Sequence, residues 1–196
     1  MPWWGVLSAA AAFVFLVGGC WLATARQPSS FNWLASTVST LTERGTVDPW
    51  LMTAAFAATG ACVVATALAL RPAALPGRLI LAAGGVASVL VAAHPEHVGG
   101  SFSLGLWAAV SFTAMTAWAA GASRRGPSVP WGLRPAVSAA AIGVLLVLVA
   151  WYLAELTTKG GLTGLAERVM GTAQIGWPLA VVLSTRRGLA DRRDYV

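Results

Sequence analysis

Few side chains in this sequence can move a proton, and they sit at segment ends: Glu43, Asp48, His94, Glu96, His97, Glu155 and Glu167, with Asp191 and Asp194 near the C-terminus. A carboxyl shielded from water keeps its proton and can deliver it to an apolar substrate, which is general-acid chemistry. On that reading Glu43, Glu155 and Glu167 are the candidate acids, with Asp48 next, and His94 or His97 returns the proton. Trp107, Trp151 and Trp177 would shape the cavity, their indole faces attracting a cation, and Gln174 would line it. No metal and no cofactor are expected. Cys20 and Cys62 lie inside apolar runs without CxxC or histidine spacing, where thiols behave as small hydrophobes. The competing reading is plain: charged helix ends are wet, and the same acids form a solvated rim. Asp48, just before Pro49, is also an ordinary helix N-cap.

Whatever these groups do, apolar elements must position them. Of 196 residues, 57% are hydrophobic and 10% charged, with mean hydropathy +0.71, which excludes a water-soluble globule. A crossing takes roughly 20 apolar residues for a hydrocarbon core of about 30 Å, so the chain has room for about six helices and short loops. The apolar runs place spans at about 3–25, 49–70, 76–94, 101–122, 135–156 and 164–185, one transmembrane domain over 1–196. The first run lacks a basic leader and exceeds a signal-peptide core, so it reads as a retained helix. Asp48-Pro49 starts the second span and Arg71-Pro72 stops it. Pro95 to Gly100 makes the turn between the third and fourth, Pro178 kinks the last, and 186–196 is a polar tail.

A net charge of +6 would suit nucleic acid, but the arginines mark helix ends rather than a groove, so no nucleic-acid partner is expected. Arg71, Arg78, Arg124, Arg125, Arg134, Arg186, Arg187, Arg192 and Arg193 fall on one side, opposed in the other side's loops by Arg26, Arg44 and Lys159. The positive-inside rule then puts both termini in the cytoplasm.

Helical spacing gives the polar groups faces. Glu167, Met170, Gln174 and Trp177 make one stripe on the last helix. Trp151 and Glu155 pair on the fifth, and Ser103, Trp107 and Ser111 on the fourth. These faces should turn inward, either lining a pocket or gluing helices together. The long connection from Arg26 to Val47 carries Phe31, Leu34, Val38 and Leu41 at three, four, three, which predicts a short interfacial helix that is either a lid or an anchor. Of the tryptophans, Trp3, Trp4, Trp131, Trp33 and Trp50 sit where aromatic belts sit, while Trp107, Trp118, Trp151 and Trp177 fall within spans.

Ser39-Thr40-Leu41 through Asp48-Pro49-Trp50, His97 with the entry to the fourth helix, and Gly164-Leu165-Ala166-Glu167-Arg168-Val169 resemble three stretches of the small bacterial membrane proteins of domain-of-unknown-function family 998. The resemblance covers most of the chain. It implies a six-helix fold in a bacterial inner (plasma) membrane and no particular reaction. The sequence departs from the family at Thr42-Glu43-Arg44, where members carry glycine and small residues, and at Glu155. Carboxyls facing an aromatic, water-poor cavity also resemble, in architecture rather than motif, the small membrane-embedded terpene cyclases, in which a protonated carboxyl starts isoprenoid cyclisation. The expectation is thus an all-α six-transmembrane-helix bundle that acts on an apolar isoprenoid or lipid by carboxyl general-acid catalysis, best described as a terpene cyclase. The alternative is a non-catalytic membrane protein that binds lipid or a protein partner. A transporter ranks below both, because mid-span charges and paired broken helices are missing. The oligomeric state is not written in the sequence. The deciding feature is whether Glu43, Glu155 and Glu167 converge on one cavity.

Overall fold

In a computed structural model, residues 2–43, 45–94, 102–126 and 129–193 are described, with side chains as far as Arg186. Six helices follow in order: α1 Trp4–Ala25, α2 Pro49–Ala69, α3 Leu75–Ala93, α4 Phe102–Ala122, α5 Pro135–Thr158 and α6 Thr163–Arg193. The chain forms an all-α membrane bundle. Among the described residues, α1 to α5 are long and apolar enough to cross a bilayer; α6 is longer but more polar, because Glu167, Arg168 and Gln174 interrupt its apolar run.

Proline sets several starts. Pro49 and Pro135 occupy the first position of α2 and α5, where a missing N–H costs nothing. Helix α2 ends at Ala69, where Leu70 has left helical geometry at ψ 52°, and Pro72 just beyond cannot continue the helix. At the far end of α5, Lys159 takes a left-handed conformation, φ 53°, and Gly160 donates back to the Glu155 carbonyl at 2.8 Å. Two boundaries differ from expectation. Helix α6 continues to Arg193, so most of the polar tail is helix, about 46 Å in all at 1.5 Å per residue for its 31 residues. Asp48 precedes α2 in a left-handed conformation, φ 51°, and its side chain caps nothing. It pairs instead with Arg26 at 3.1 Å.

Each helix packs on the next in sequence, and α6 closes the ring on α1 while touching α4. Small residues permit the close approaches. A Cβ on Gly60 would meet the Gly85 carbonyl, and one on Gly77 would meet the Ala122 backbone, so α2–α3 and α3–α4 touch nearly backbone to backbone. The core around Leu81, Met115, Trp118, Val181 and Val182 fills the half of the bundle that holds the termini. Trp118, one of the within-span indoles, is fully buried there. Helix α5 is peripheral: only Ser138 and Leu145 of it are buried. Trp151 and Glu155 are therefore half-buried, which corrects the inward face expected for them.

The 26–48 connection does not form the expected interfacial helix. Among its described residues, only Ser39–Thr42 is helical, as one 3-10 turn. Hydroxyl and amide side chains compete for the backbone: Asn32 Oδ1 accepts from the Leu34 N–H, Thr40 donates to the Thr37 carbonyl and Thr42 to that of Ser39. Such local bonds offer the chain an alternative to a regular helix. The apolar spacing still marks what goes inside, since Val38 and Leu41 are buried against Cys20, Met52 and Ala55.

Candidate functional site

Beneath this connection lies a cavity of about 480 Å³, within the usual range for small-molecule pockets. One face of α1 supplies Leu16, Val17, Cys20, Trp21 and Thr24, residues three and four apart; α2 adds Phe56, α4 Phe112 and α6 Glu167, Arg168 and Gly171. Trp33 and Val38 of the connection close the top. Trp21 lines the cavity and is 73% exposed, so the mouth faces the side of the bundle, where lipid would lie. Phe112 is held edge-to-face against Tyr152 of α5, ring centres 5.9 Å apart, a preferred aromatic geometry.

The connection is clamped to the first turns of α6. Leu165 N–H donates to the Leu34 carbonyl at 3.0 Å, and Val38 N–H donates to Glu167 Oε2 at 2.7 Å. Arg168 Nη1 donates to the carbonyls of Trp33 and Ser36 at 2.8 and 3.0 Å and to its own helix at Gly164. Gly164 makes the approach possible, because a Cβ there would run into the Ser36 and Trp33 carbonyls. At the other side Gln27 Nε2 donates to the Val47 carbonyl, while Val47 N–H donates to Gln27 Oε1, at 2.9 and 3.2 Å. With the Arg26–Asp48 pair, this pins the two ends of the connection together.

Apart from Thr172, the cavity wall is apolar except beside this clamp. There Thr24 Oγ1 and Arg168 Nη2 are buried without a hydrogen-bond partner among the described residues. The Cys20 thiol lies within hydrogen-bonding reach of both side chains, a weak acceptor that meets part of their demand. Thr24, Glu167 and Arg168 at one end of a mostly apolar cavity suit a molecule with an apolar body and a polar end.

The residues singled out from sequence are dispersed. Glu167, 7% exposed, is in the cavity. Glu155 Oε2 accepts the Leu162 N–H at 3.1 Å and closes the α5–α6 turn. Glu43 is half-buried in the turn after Ser39–Thr42, and Asp48 is held by Arg26. His94 ends α3, its Nδ1 bonded to the Leu90 carbonyl at 2.8 Å; His97 lies outside the described residues. Trp107 and Trp151 are half-buried and outside the cavity lining. Trp177 stacks edge-on against Trp131 toward the other end of the bundle. Gln174 donates to the Phe112 carbonyl and to Thr116 Oγ1, tying α6 to α4. Thus the α6 stripe of Glu167, Met170 and Gln174 is buried, while the acids do not converge.

Sequence reasoning passed over Arg168, Thr24, Trp21 and the phenylalanines. Two signals were available: the periodic face 17, 20, 21, 24 on α1, and a cation directly after Glu167 inside an otherwise apolar helix.

The family model described as protein of unknown function (DUF998) matches residues 9–184, a span that includes the clamp, the cavity and part of every helix. The chain belongs to this family. No curated protein sequence and no solved structure gives a significant match. In this DUF998 chain all the cavity residues fall within the matched span, so the site is built from the family's own segment rather than from an appended piece.

Proposed function

We propose that this DUF998 protein is a non-catalytic membrane protein that holds one amphiphilic lipid, its chain against Leu16, Val17, Phe56 and Phe112 and its acceptor-bearing head at Arg168 and Thr24. The carrying observation is the mostly apolar cavity of about 480 Å³ with Thr24, Glu167 and Arg168 at one end. Exposed Trp21 at the mouth supports entry from the bilayer. Six crossings in a bacterial inner membrane with cytoplasmic termini complete the reading, supported by the arginines gathered at the terminal end of the bundle. Native mass spectrometry of protein purified in mild detergent tests it. Wild type should carry one lipid or added fatty acid, and Arg168→Gln should reduce occupancy about tenfold, the worth of one charge-assisted bond. Empty wild-type protein across fatty acids and phospholipids would overturn it.

One observation favours a second reading. Glu167 shares the cavity with Trp21, Trp33, Phe56 and Phe112, an acid among aromatic faces of the kind isoprenoid cyclisation needs. Against it, Glu167 accepts the Val38 N–H and neither Glu43 nor Glu155 lines the cavity. Incubation with linear prenylated compounds decides: isomeric products of unchanged mass that vanish in Glu167→Gln would replace the binding reading with a catalytic one.

A further inference from the structure

At the end of the bundle that holds the termini, two connections are joined into one surface. Ala74 N–H, just before α3, donates at 3.2 Å to the carbonyl of Ala122, the last residue of α4, and a Cβ on Gly77 would run into the Ala122 backbone. Arg124 holds the same junction: its backbone N–H donates to the Leu133 carbonyl at 2.9 Å and its Nη2 to that of Ala73 at 3.5 Å. The turn between α2 and α3 and the connection between α4 and α5 are therefore neighbours, and they bring their arginines with them. Arg71 stands two residues before the carbonyl that Arg124 meets, and Arg125 follows Arg124. Arg78, in the first turn of α3, donates through Nε and Nη2 to the Ala67 and Leu68 carbonyls at the end of α2.

No described carboxyl neutralises this cluster. The one ion pair among the described residues, Arg26–Asp48, is at the opposite end of the bundle, as are Glu43, Glu155 and Glu167. Counted by sequence, nine arginines stand at the terminal end against two side-chain carboxyls, Asp191 and Asp194. Arg78 and Arg124 are fixed in place by the backbone carbonyls they hold. Arg71 and Arg125 are exposed, and their side chains make no bond among the described residues. Exposed guanidiniums without a counter-ion suit phosphate, whose oxygens accept their parallel N–H bonds two at a time.

Depth selects the kind of phosphate. Trp131, between Arg125 and Arg134 in the chain, is 46% exposed, and Trp3 at the start of α1 is 69% exposed. Exposed indoles beside the ends of spanning helices sit at the level of lipid headgroups, so the arginines at this end face bilayer phosphates rather than a soluble polyanion. Each arginine near an anionic leaflet adds roughly fivefold to the attraction, and basic clusters between helix ends take headgroups with more than one phosphate. We infer that the α2–α3 turn and the α4–α5 connection together bind the headgroup of an anionic phospholipid with two phosphates, of the cardiolipin type, through Arg71, Arg124 and Arg125. This site is separate from the cavity under the 26–48 connection and lies at the other end of the molecule.

Native mass spectrometry of the full-length protein in mild detergent, titrated with cardiolipin and with phosphatidylcholine of the same acyl chains, tests this. Wild type should bind cardiolipin at least about tenfold more tightly than phosphatidylcholine. Arg71→Gln combined with Arg125→Gln, two changes that remove no bond within the protein, should bring the preference to about twofold or less, and adding Arg124→Gln should erase it. Lys159→Asn, which removes an exposed cation at the opposite end, should leave it intact. Equal affinity of wild type for the two lipids, or a preference that survives the double variant, would overturn the inference. So would wild type that shows no lipid preference yet binds a duplex oligonucleotide, which would assign the face to nucleic acid.

Discussion

At the scale of single residues, Arg168 does the most. Its guanidinium holds two carbonyls of the connection, those of Trp33 and Ser36, and its side chain also lines the cavity. Lysine could not do both, since an ammonium lacks the planar fork. Arg168→Gln should therefore cost about 2 kcal/mol of stability, a typical value for lost bonds to a charged group, read as a lower melting temperature in detergent; Arg168→Lys should restore only part of it. Glu155 contrasts with Glu167 on the same criterion. Both carboxylates accept a backbone N–H, but one bond closes a local turn and the other reaches across the molecule from Val38. Sequence put the two acids on an equal footing because each follows an apolar run near a helix end, and nothing local separates them.

Among elements, the connection and the start of α6 behave as one unit. Gly164 meets backbone carbonyls of the connection, whereas at Gly171, two turns on, a Cβ would make only ordinary contact with Leu16. Gly164→Ala should thus release residues 26–48, seen as faster amide hydrogen exchange there, while Gly171→Ala should leave exchange unchanged. Slow exchange in both variants would refute the clamp. The three, four, three spacing of Phe31, Leu34, Val38 and Leu41 marked side chains that turn inward, Val38 and Leu41 buried and Phe31 and Leu34 half-buried, but not a helix. Apolar periodicity reports which side chains seek the interior, while the Ser, Thr and Asn hydrogen bonds that decide the backbone path depend on local geometry. The stripe on α6 was legible because one helical face repeats in sequence; its division between cavity, core and α4 contact was not.

For the whole molecule, the ring of six helices closes where α6 meets α1, and the cavity lies among α1, α2, α4 and α6 at the end bearing the connection. Nine arginines crowd the opposite end, Arg71, Arg78, Arg124, Arg125, Arg134, Arg186, Arg187, Arg192 and Arg193. Against them stand Arg26, Arg44, Lys159 and Arg168, the last overlooked when only loop charges were weighed. The imbalance is large enough that the predicted sidedness survives the omission. A C-terminal reporter active only in the cytoplasm should therefore be active, and a cysteine placed at exposed Gly161 in a variant lacking Cys20 and Cys62 should react with a membrane-impermeant thiol reagent added outside. The opposite labelling pattern would invert the topology.

Apolar run length, proline punctuation and arginine placement are local or compositional properties, so the sequence by itself determined the all-α membrane class and the inward stripe of α6. The tertiary structure decided which polar groups meet. Val38 and Glu167 are 129 residues apart, Trp33 and Arg168 135, and no periodicity within one helix carries information over such separations. Only ring closure brings them together, and with them come the clamp, the cavity beneath it and the isolation of Glu167 from the other acids.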